Sequence, residues 1–161
     1  IGCTPLEIYE TAYFESGCDP FNLKNPIAAG WIQFTSRGIR SHGITLKQVH
    51  AACRAKMVTP IMRLTHEYLV KRQQKAGKPL RRTTDVYMAV FAPAYIGADA
   101  DQTVYQGYSN PDYYKNDGLD GWRVEGEKIV QGSKNGKITY REIELCVSRK
   151  NAKLRAQHFK N

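Results

Sequence analysis

Apolar residues recur along most of this chain at the three-to-four-residue interval of an α-helix. The first such stretch predicts a helix over about residues 5–16. Pro5 suits a first helical position and Thr4 an N-cap, and Gly17 and Pro20 supply the stop. At about 100° per residue, Leu6, Ile8, Tyr9, Ala12 and Tyr13 share one apolar half, and Glu7, Glu10 and Thr11 the other. Glu15 falls at the boundary, beside Ile8 and Ala12.

From Asp19 to Gly43 the chain is rich in Gly, Pro, Asn and Ser and reads as loop with short strand or turn pieces. Thr45 with Gln48 forms a capping-box pattern that opens a helix over about 46–57. Thr59 and Pro60 fit an N-cap and first helical position for a helix over about 60–76. Ile61, Leu64, Thr65, Tyr68 and Arg72 keep helical spacing there, and Gly77 and Pro79 end it. Thr83, Thr84 and Asp85 are capping residues for a short apolar helix over about 85–93, and a further short helix is expected over about 99–107. Residues 108–136 are aromatic, polar and Gly-rich, and read as a long ordered loop or lobe. Thr139 with Glu142 repeats the capping-box pattern and opens a terminal helix over about 140–158, whose late basic residues suit the helix dipole. The fold class expected is mostly α (α+β with minor β), in one domain over residues 1–161, a length sufficient for one real core.

No apolar run approaches the roughly 20 residues of a membrane span. The chain begins with Ile1 rather than Met, which fits a processed chain or a fragment. Its net charge of +9, from 24 Lys and Arg against 15 Asp and Glu, favours acidic partners: nucleic acid, anionic membrane or anionic wall polymer. Two basic runs stand out, Lys71 to Arg82 and Arg149 to Lys160, but no nucleic-acid-binding signature accompanies them, and each reads more readily as a solvated helical face than as a phosphate-binding surface. Cys3, Cys18, Cys53 and Cys146 contain no CxxC spacing, so a structural zinc site is not expected; disulfides and buried free thiols both remain open.

The stretch with most chemical content is Ala12-Tyr13-Phe14-Glu15-Ser16-Gly17, followed by Ala29-Gly30-Trp31-Ile32-Gln33-Phe34. A carboxylate at the apolar edge of a helix end is partly desolvated, which disfavours its charged form. A general acid needs this, because it must hold its proton near neutral pH. Glu15-Ser16 followed by Gly30-Trp31-Ile32-Gln33 resembles the paired motif of lytic transglycosylases: a Glu-Ser step, then Gly-hydrophobe-hydrophobe-Gln. A third family motif, a Tyr-Asn-Ala-Gly-like segment, has its counterpart at Val90-Phe91-Ala92-Pro93-Ala94 with Gly97 after it; here Phe91 replaces the Tyr and no Asn follows. Asn135-Gly136 before Thr139 resembles a turn in phage-type members. The Tyr-Phe-Glu-Ser-Gly stretch with the basic, Tyr-rich remainder is most similar to the muralytic proteins of cystoviruses, the enveloped double-stranded RNA phages.

The resemblance implies a lysozyme-like fold with a substrate cleft, a peptidoglycan glycan strand as partner, and Glu15 as catalytic acid. It implies substrate contacts from Ser16, Gly30, Trp31, Gln33, Phe91 and Tyr95. It implies no cofactor or metal, and action during host entry or lysis as a virion component or in the periplasm and cell wall, alongside other virion proteins. Trp31, Tyr95, Tyr105 and Tyr108 are candidates to stack on sugar faces, and Gly30 permits close backbone approach.

Between Asp19 and Glu67 the sequence has no Asp or Glu. Two-carboxylate glycosidases place a second carboxyl group across the cleft from the acid, and animal lysozymes carry it soon after the acid. Asp19 is the near candidate here, and Asp99, Asp101, Asp117 and Asp120 are distant ones. The gap favours a single-acid mechanism, and the resemblance implies that this mechanism yields a 1,6-anhydro product. A peptidoglycan endopeptidase is the first alternative. His66-Glu67 begins an HExxH pattern, but Val70 stands where the second His belongs, and nothing near the four cysteines suggests an activated thiol. A nucleic-acid-binding module and a structural virion protein are the remaining alternatives.

Overall fold

The computed structural model describes residues 1–158 and contains a mostly α-helical protein with minor β-structure. The chain divides into two compact units, Ile1–Pro93 and Ala94–Asn161.

In the first unit, α1 (Pro5–Ser16) opens as the capping pattern requires: the Glu7 carboxylate accepts the Thr4 backbone N–H at 2.5 Å. Gly17 closes it in the left-handed region (φ 67°), returning its N–H to the Tyr13 carbonyl at 3.0 Å. The helix buries a different face from the one its apolar residues suggest. Glu10, Thr11 and Ala12 are buried, while Leu6 is exposed. The cause is α5 (Thr83–Phe91), which packs against α1 and offers polar partners: the Thr83 hydroxyl donates to Glu10 Oε2 at 2.5 Å. A satisfied buried carboxylate can thus occupy a face that a hydropathy count assigns to solvent.

A two-stranded antiparallel sheet follows, β1 (Ala28–Ala29) with β2 (Phe34–Thr35), paired Ala28 to Thr35 and Ala29 to Phe34. Next come a single turn, α2 (Ser36–Ile39), and α3 (Leu46–Arg54), whose capping box is formed by Thr45 and Gln48 in both directions, at 2.8 and 3.3 Å. Helix α4 (Val58–Ala76) starts two residues before the position expected from Thr59-Pro60. Pro60 still lies in its first turn, where the missing N–H has no intrahelical acceptor to lose. The buried side chains of α4, Ile61, Leu64, Thr65, Tyr68 and Leu69, follow the expected stripe. Helix α5 also starts two residues early. Its capping group is Asp85 within the first turn, which accepts the N–H groups of Arg81 and Arg82 at 3.2 and 3.1 Å.

In the second unit, the helix expected near residues 99–107 is absent. Thr103–Gln106 is a strand, β3, paired antiparallel with β6 (Lys137–Thr139). Thr103-Val104-Tyr105 combines β-branched and aromatic residues, whose packing on a pleated surface outweighs the helical spacing. The aromatic, Gly-rich stretch is ordered as α6 (Pro111–Asn116) and a hairpin of β4 (Trp122–Glu125) with β5 (Lys128–Gln131). Helix α7 (Tyr140–His158) is opened by Glu142, which accepts the Thr139 N–H at 2.8 Å while its other oxygen takes the Gly121 N–H at 2.8 Å. The buried Asp120 carboxylate binds the Tyr113 hydroxyl at 2.6 Å and the N–H groups of Asn135 and Gly136 at 3.1 and 2.8 Å. Burial, and then that bond to Asp120, push the Tyr113 phenol far above its ordinary range. Among the described residues no helix is long and apolar enough to cross a membrane, and Lys160 of the second basic run lies outside them.

Candidate functional site

The two halves of the Glu-Ser and Gly-Trp-Ile-Gln pattern meet in the first unit. Glu15 and Ser16 form the last turn of α1, with Glu15 half-buried and Ser16 buried. The Ser16 hydroxyl donates to the Trp31 carbonyl at 2.7 Å, and the Ala12 carbonyl lies at 3.0 Å as an alternative acceptor. Asn22 extends the link: its Nδ2 donates to the Ser16 carbonyl at 3.1 Å, and its own carbonyl accepts the Gly30 N–H at 3.0 Å. The helix end bearing Glu15 is thereby tied to the Gly30–Gln33 segment by three hydrogen bonds routed through Ser16 and Asn22.

That segment joins β1 to β2 and is bent tightly. Gly30 has φ 82°, and a Cβ there would stand 3.3 Å from the Phe34 ring. Gln33 has φ 51°, a left-handed conformation that a residue bearing a Cβ adopts only at a cost. Its side chain helps to hold it: Nε2 donates to the Gly30 carbonyl at 2.9 Å, which leaves the side-chain oxygen as the group that can accept a bond from a ligand. Ile32 is buried beneath the turn, whereas Trp31 and Gln33 are partly exposed.

Phe91 lies in the same unit, half-buried and stacked on Tyr87 at 5.3 Å between ring centroids; Phe14, next to Glu15, meets Tyr87 edge-on at 4.6 Å. Phe91 thus continues an aromatic run that begins beside the Glu-Ser step. Tyr95, Tyr105 and Tyr108 belong to the second unit. Tyr95 is half-buried; burial and the nearby Asp112 raise the Tyr105 phenol above its ordinary value; Tyr108 is exposed and packs on the Tyr113 ring at 5.2 Å.

Two residues that the sequence placed only on a helical stripe belong to this neighbourhood. Tyr68, buried on α4, packs edge-on against Phe34 at 5.7 Å and parallel to His42 at 5.6 Å. Arg72, one turn further on, covers the Tyr68 ring at 4.7 Å and donates to its oxygen at 2.9 Å. Burial raises the Tyr68 phenol, Arg72 opposes that rise, and the charge of Glu15 adds to it. The Tyr–Arg spacing of four residues was the available signal, but it is also ordinary for a helix face.

The alternative carboxylates are either exposed or engaged in contacts within their own units. Asp19 is exposed and accepts the Phe21 N–H at 2.9 Å in a loop turn. Asp117 pairs with Lys134 at 2.5 Å, Asp120 is enclosed by its structural bonds, and Asp99 and Asp101 are exposed. All four cysteines are free, and burial is the leading cause that raises each thiol above its ordinary value. Among the described residues no group of three or more His, Cys, Asp or Glu is arranged to hold a metal ion. Comparison with protein-family models, with curated proteins and with solved structures gave no match.

Proposed function

We propose that this chain cleaves the glycan strand of bacterial peptidoglycan between the N-acetylmuramoyl and N-acetylglucosaminyl residues, with Glu15 as the one group that acts as acid and then as base. The observation that carries the reading is the Ser16-to-Trp31 hydrogen bond of 2.7 Å, which couples the Glu-bearing helix end to the Gly30–Gln33 turn. A sugar lying along that turn would meet Trp31 for stacking, the free oxygen of Gln33 for an N-acetyl N–H, and the Glu15 carboxyl group at the scissile bond.

In the first step Glu15 gives its proton to the glycosidic oxygen, and the bond to muramoyl C1 breaks as positive charge builds on the ring. The carboxylate left behind takes the proton of the muramoyl O6 hydroxyl, and O6 bonds to C1. The products are a 1,6-anhydromuramoyl end and a new glucosaminyl 4-hydroxyl, with Glu15 again protonated. No water is consumed and no second carboxylate is required, in keeping with the absence of any Asp or Glu between Asp19 and Glu67. A lysozyme-like fold, a substrate cleft and a place in a phage particle or in the host periplasm and wall, with other virion proteins as partners, belong to the same proposal.

The raised thiols count against a cysteine peptidase, since the thiolate is the nucleophile. Glu15→Gln keeps the shape of the side chain and removes the transferable proton. It is expected to fold with an unchanged thermal midpoint and to lose about 10²–10⁴-fold in lytic rate on purified peptidoglycan. A folded Glu15→Gln protein that lyses at the parental rate overturns the proposal.

A further inference from the structure

Three exposed apolar side chains of the first unit gather at the corner between α3 and α4. Met57 is 49% exposed, Val58 52% and Met62 39%. Val58 and Met62 stand one turn apart on α4 and so share a face of that helix, and Met57 directly precedes it. Every residue from Arg54 to Pro60 is exposed. Apolar side chains scattered singly over a surface are ordinary, whereas a cluster rimmed by polar groups marks a surface that meets something. The place of Met57 sharpens the point. It occupies the N-cap of α4 and makes no side-chain bond to the first-turn N–H groups, while Thr59, a better capping residue, stands two positions further on inside the helix.

The charge at this corner has one sign. Arg54 and Lys56 precede Met57, Arg63 follows Met62, and all three are exposed. The first acidic residue after Asp19 is Glu67, one turn beyond Arg63 on α4. The positive end of the α4 dipole adds to the same field. Charge complementarity therefore calls for an anionic partner. The segment Arg54–Arg63 contains no aromatic residue, whereas sugar rings and the bases of single-stranded nucleic acid are met by aromatic faces. The phosphates of a duplex offer nothing to methionine or valine. A second copy of this chain would bring the same cations face to face. An anionic bilayer surface suits both halves of the patch, with phosphate headgroups for the cations and acyl chains just beneath for the apolar side chains. Methionine is unbranched and adapts to irregular surroundings, and the stems of Arg and Lys lie along apolar surface while their charged ends reach headgroup level. Such contact is peripheral, since among the described residues no helix is long and apolar enough to cross a membrane.

We infer that the α3–α4 corner is a docking surface for an anionic lipid bilayer, with Met57, Val58 and Met62 entering the interface and Arg54, Lys56 and Arg63 meeting the phosphate headgroups. The surface uses neither Glu15 nor any residue of the Gly30–Gln33 turn, so it stands or falls apart from the proposed glycan cleavage. Its two components are separable by substitution. Met57→Gln, Val58→Thr and Met62→Gln together keep the charge and remove the apolar contact. Arg54→Gln, Lys56→Gln and Arg63→Gln together do the reverse. Lys75→Gln, Lys78→Gln and Arg81→Gln remove equal charge from the far end of α4 and the segment after it, about 25 Å or more along the helix axis from Val58, and control for net charge.

The test is sedimentation of the full chain and these three variants with vesicles of phosphatidylethanolamine and phosphatidylglycerol, and with vesicles of phosphatidylcholine alone, at about 0.1 M salt. Thermal midpoints are measured in parallel. The parent is expected to sediment with the anionic vesicles and to stay in solution with the zwitterionic ones. The partition coefficient on anionic vesicles is expected to fall about tenfold in the apolar-to-polar variant, about 100-fold in the corner-charge variant, and less than in either in the control. Three results overturn the inference: no preference for anionic vesicles, parental binding by the folded apolar-to-polar variant, or a loss in the control as large as in the corner-charge variant. The same proteins are sedimented with duplex DNA and with purified peptidoglycan, and their mass in solution is measured. Loss of DNA or peptidoglycan binding, or of a dimer, in the apolar-to-polar variant while vesicle binding is unchanged assigns the corner to that partner and overturns the inference as well. If the triple apolar variant fails to fold, Met62→Gln decides alone, with an expected loss of about threefold.

Discussion

Ser16, Gln33 and the four cysteines show how little of a residue's role its identity alone conveys. A serine ending a helix is ordinarily a cap, yet Ser16 is buried and spends its hydroxyl across fifteen residues of sequence on Trp31. Gln33 reads as a surface amide, yet it sits in a left-handed conformation that its own side chain braces. Strain of this kind persists where surrounding structure over-determines it, as at sites that must present a group in one orientation. The cysteines left disulfides and free thiols equally open, and the structure holds all four as free thiols that burial pushes upward. A raised thiol pKa means less thiolate at neutral pH, and the thiolate is the species that reacts. At pH 7.5 the folded protein is therefore expected to react with a maleimide or disulfide reagent more slowly than the same chain in denaturant, with the gap narrowing as pH rises past 9. Equal rates in the two states at pH 7.5 would show the thiols to be unshielded.

At the scale of elements, the helices announced by capping chemistry were legible and those defined by partners were not. Thr4 with Pro5, Thr45 with Gln48 and Thr139 with Glu142 each open a helix at the expected position, because the capping bonds are local. Residues 99–107 misled because β3 exists only by pairing with β6, some thirty residues away, and no local rule reports that pairing. The buried face of α1 was misassigned for the same reason: Glu10 is buried because Thr83 satisfies it. The Glu-Ser step and the Gly30–Gln33 segment were legible as motifs, but Tyr68 and Arg72 became part of the neighbourhood only through the packing of α4 against Phe34 and His42. The turn itself supplies a test. Gly30→Ala places a Cβ at φ 82° and 3.3 Å from the Phe34 ring. It is expected to cost about 1–2 kcal/mol in stability and, by displacing Trp31 and Gln33, to lower lytic rate by more than the loss of folded protein explains. Denaturant titration beside a lysis assay separates the two; a Gly30→Ala protein with parental stability and rate would mean the turn's geometry is not needed.

At the scale of the whole chain, the charge of +9 is distributed so as to leave the first unit strongly cationic at its surface. Its acidic residues are Glu7, Glu10, Glu15, Asp19, Glu67 and Asp85; of these, Glu10 and Asp85 are buried within hydrogen bonds, whereas nearly all of its lysines and arginines are exposed. Such a surface raises encounter rates with an anionic polymer, and salt suppresses the effect as the screening length shrinks from about 10 Å at about 0.1 M to about 3 Å at about 1 M. Sedimentation with isolated cell walls is expected to fall several-fold over that range, equally for the parent and for Glu15→Gln, because the proposal assigns wall binding to surface charge and proton transfer to Glu15. Binding indifferent to salt would remove charge from the account.

The most direct test of the central claim is mass analysis of the fragments released from purified peptidoglycan. A single carboxyl group that acts first as acid and then as base must leave muramoyl ends lighter by one water than hydrolysis would, with peptide cross-links intact and with none of these ends formed by Glu15→Gln. Ends that have gained water, or new free amino groups on uncut glycan strands, would contradict it.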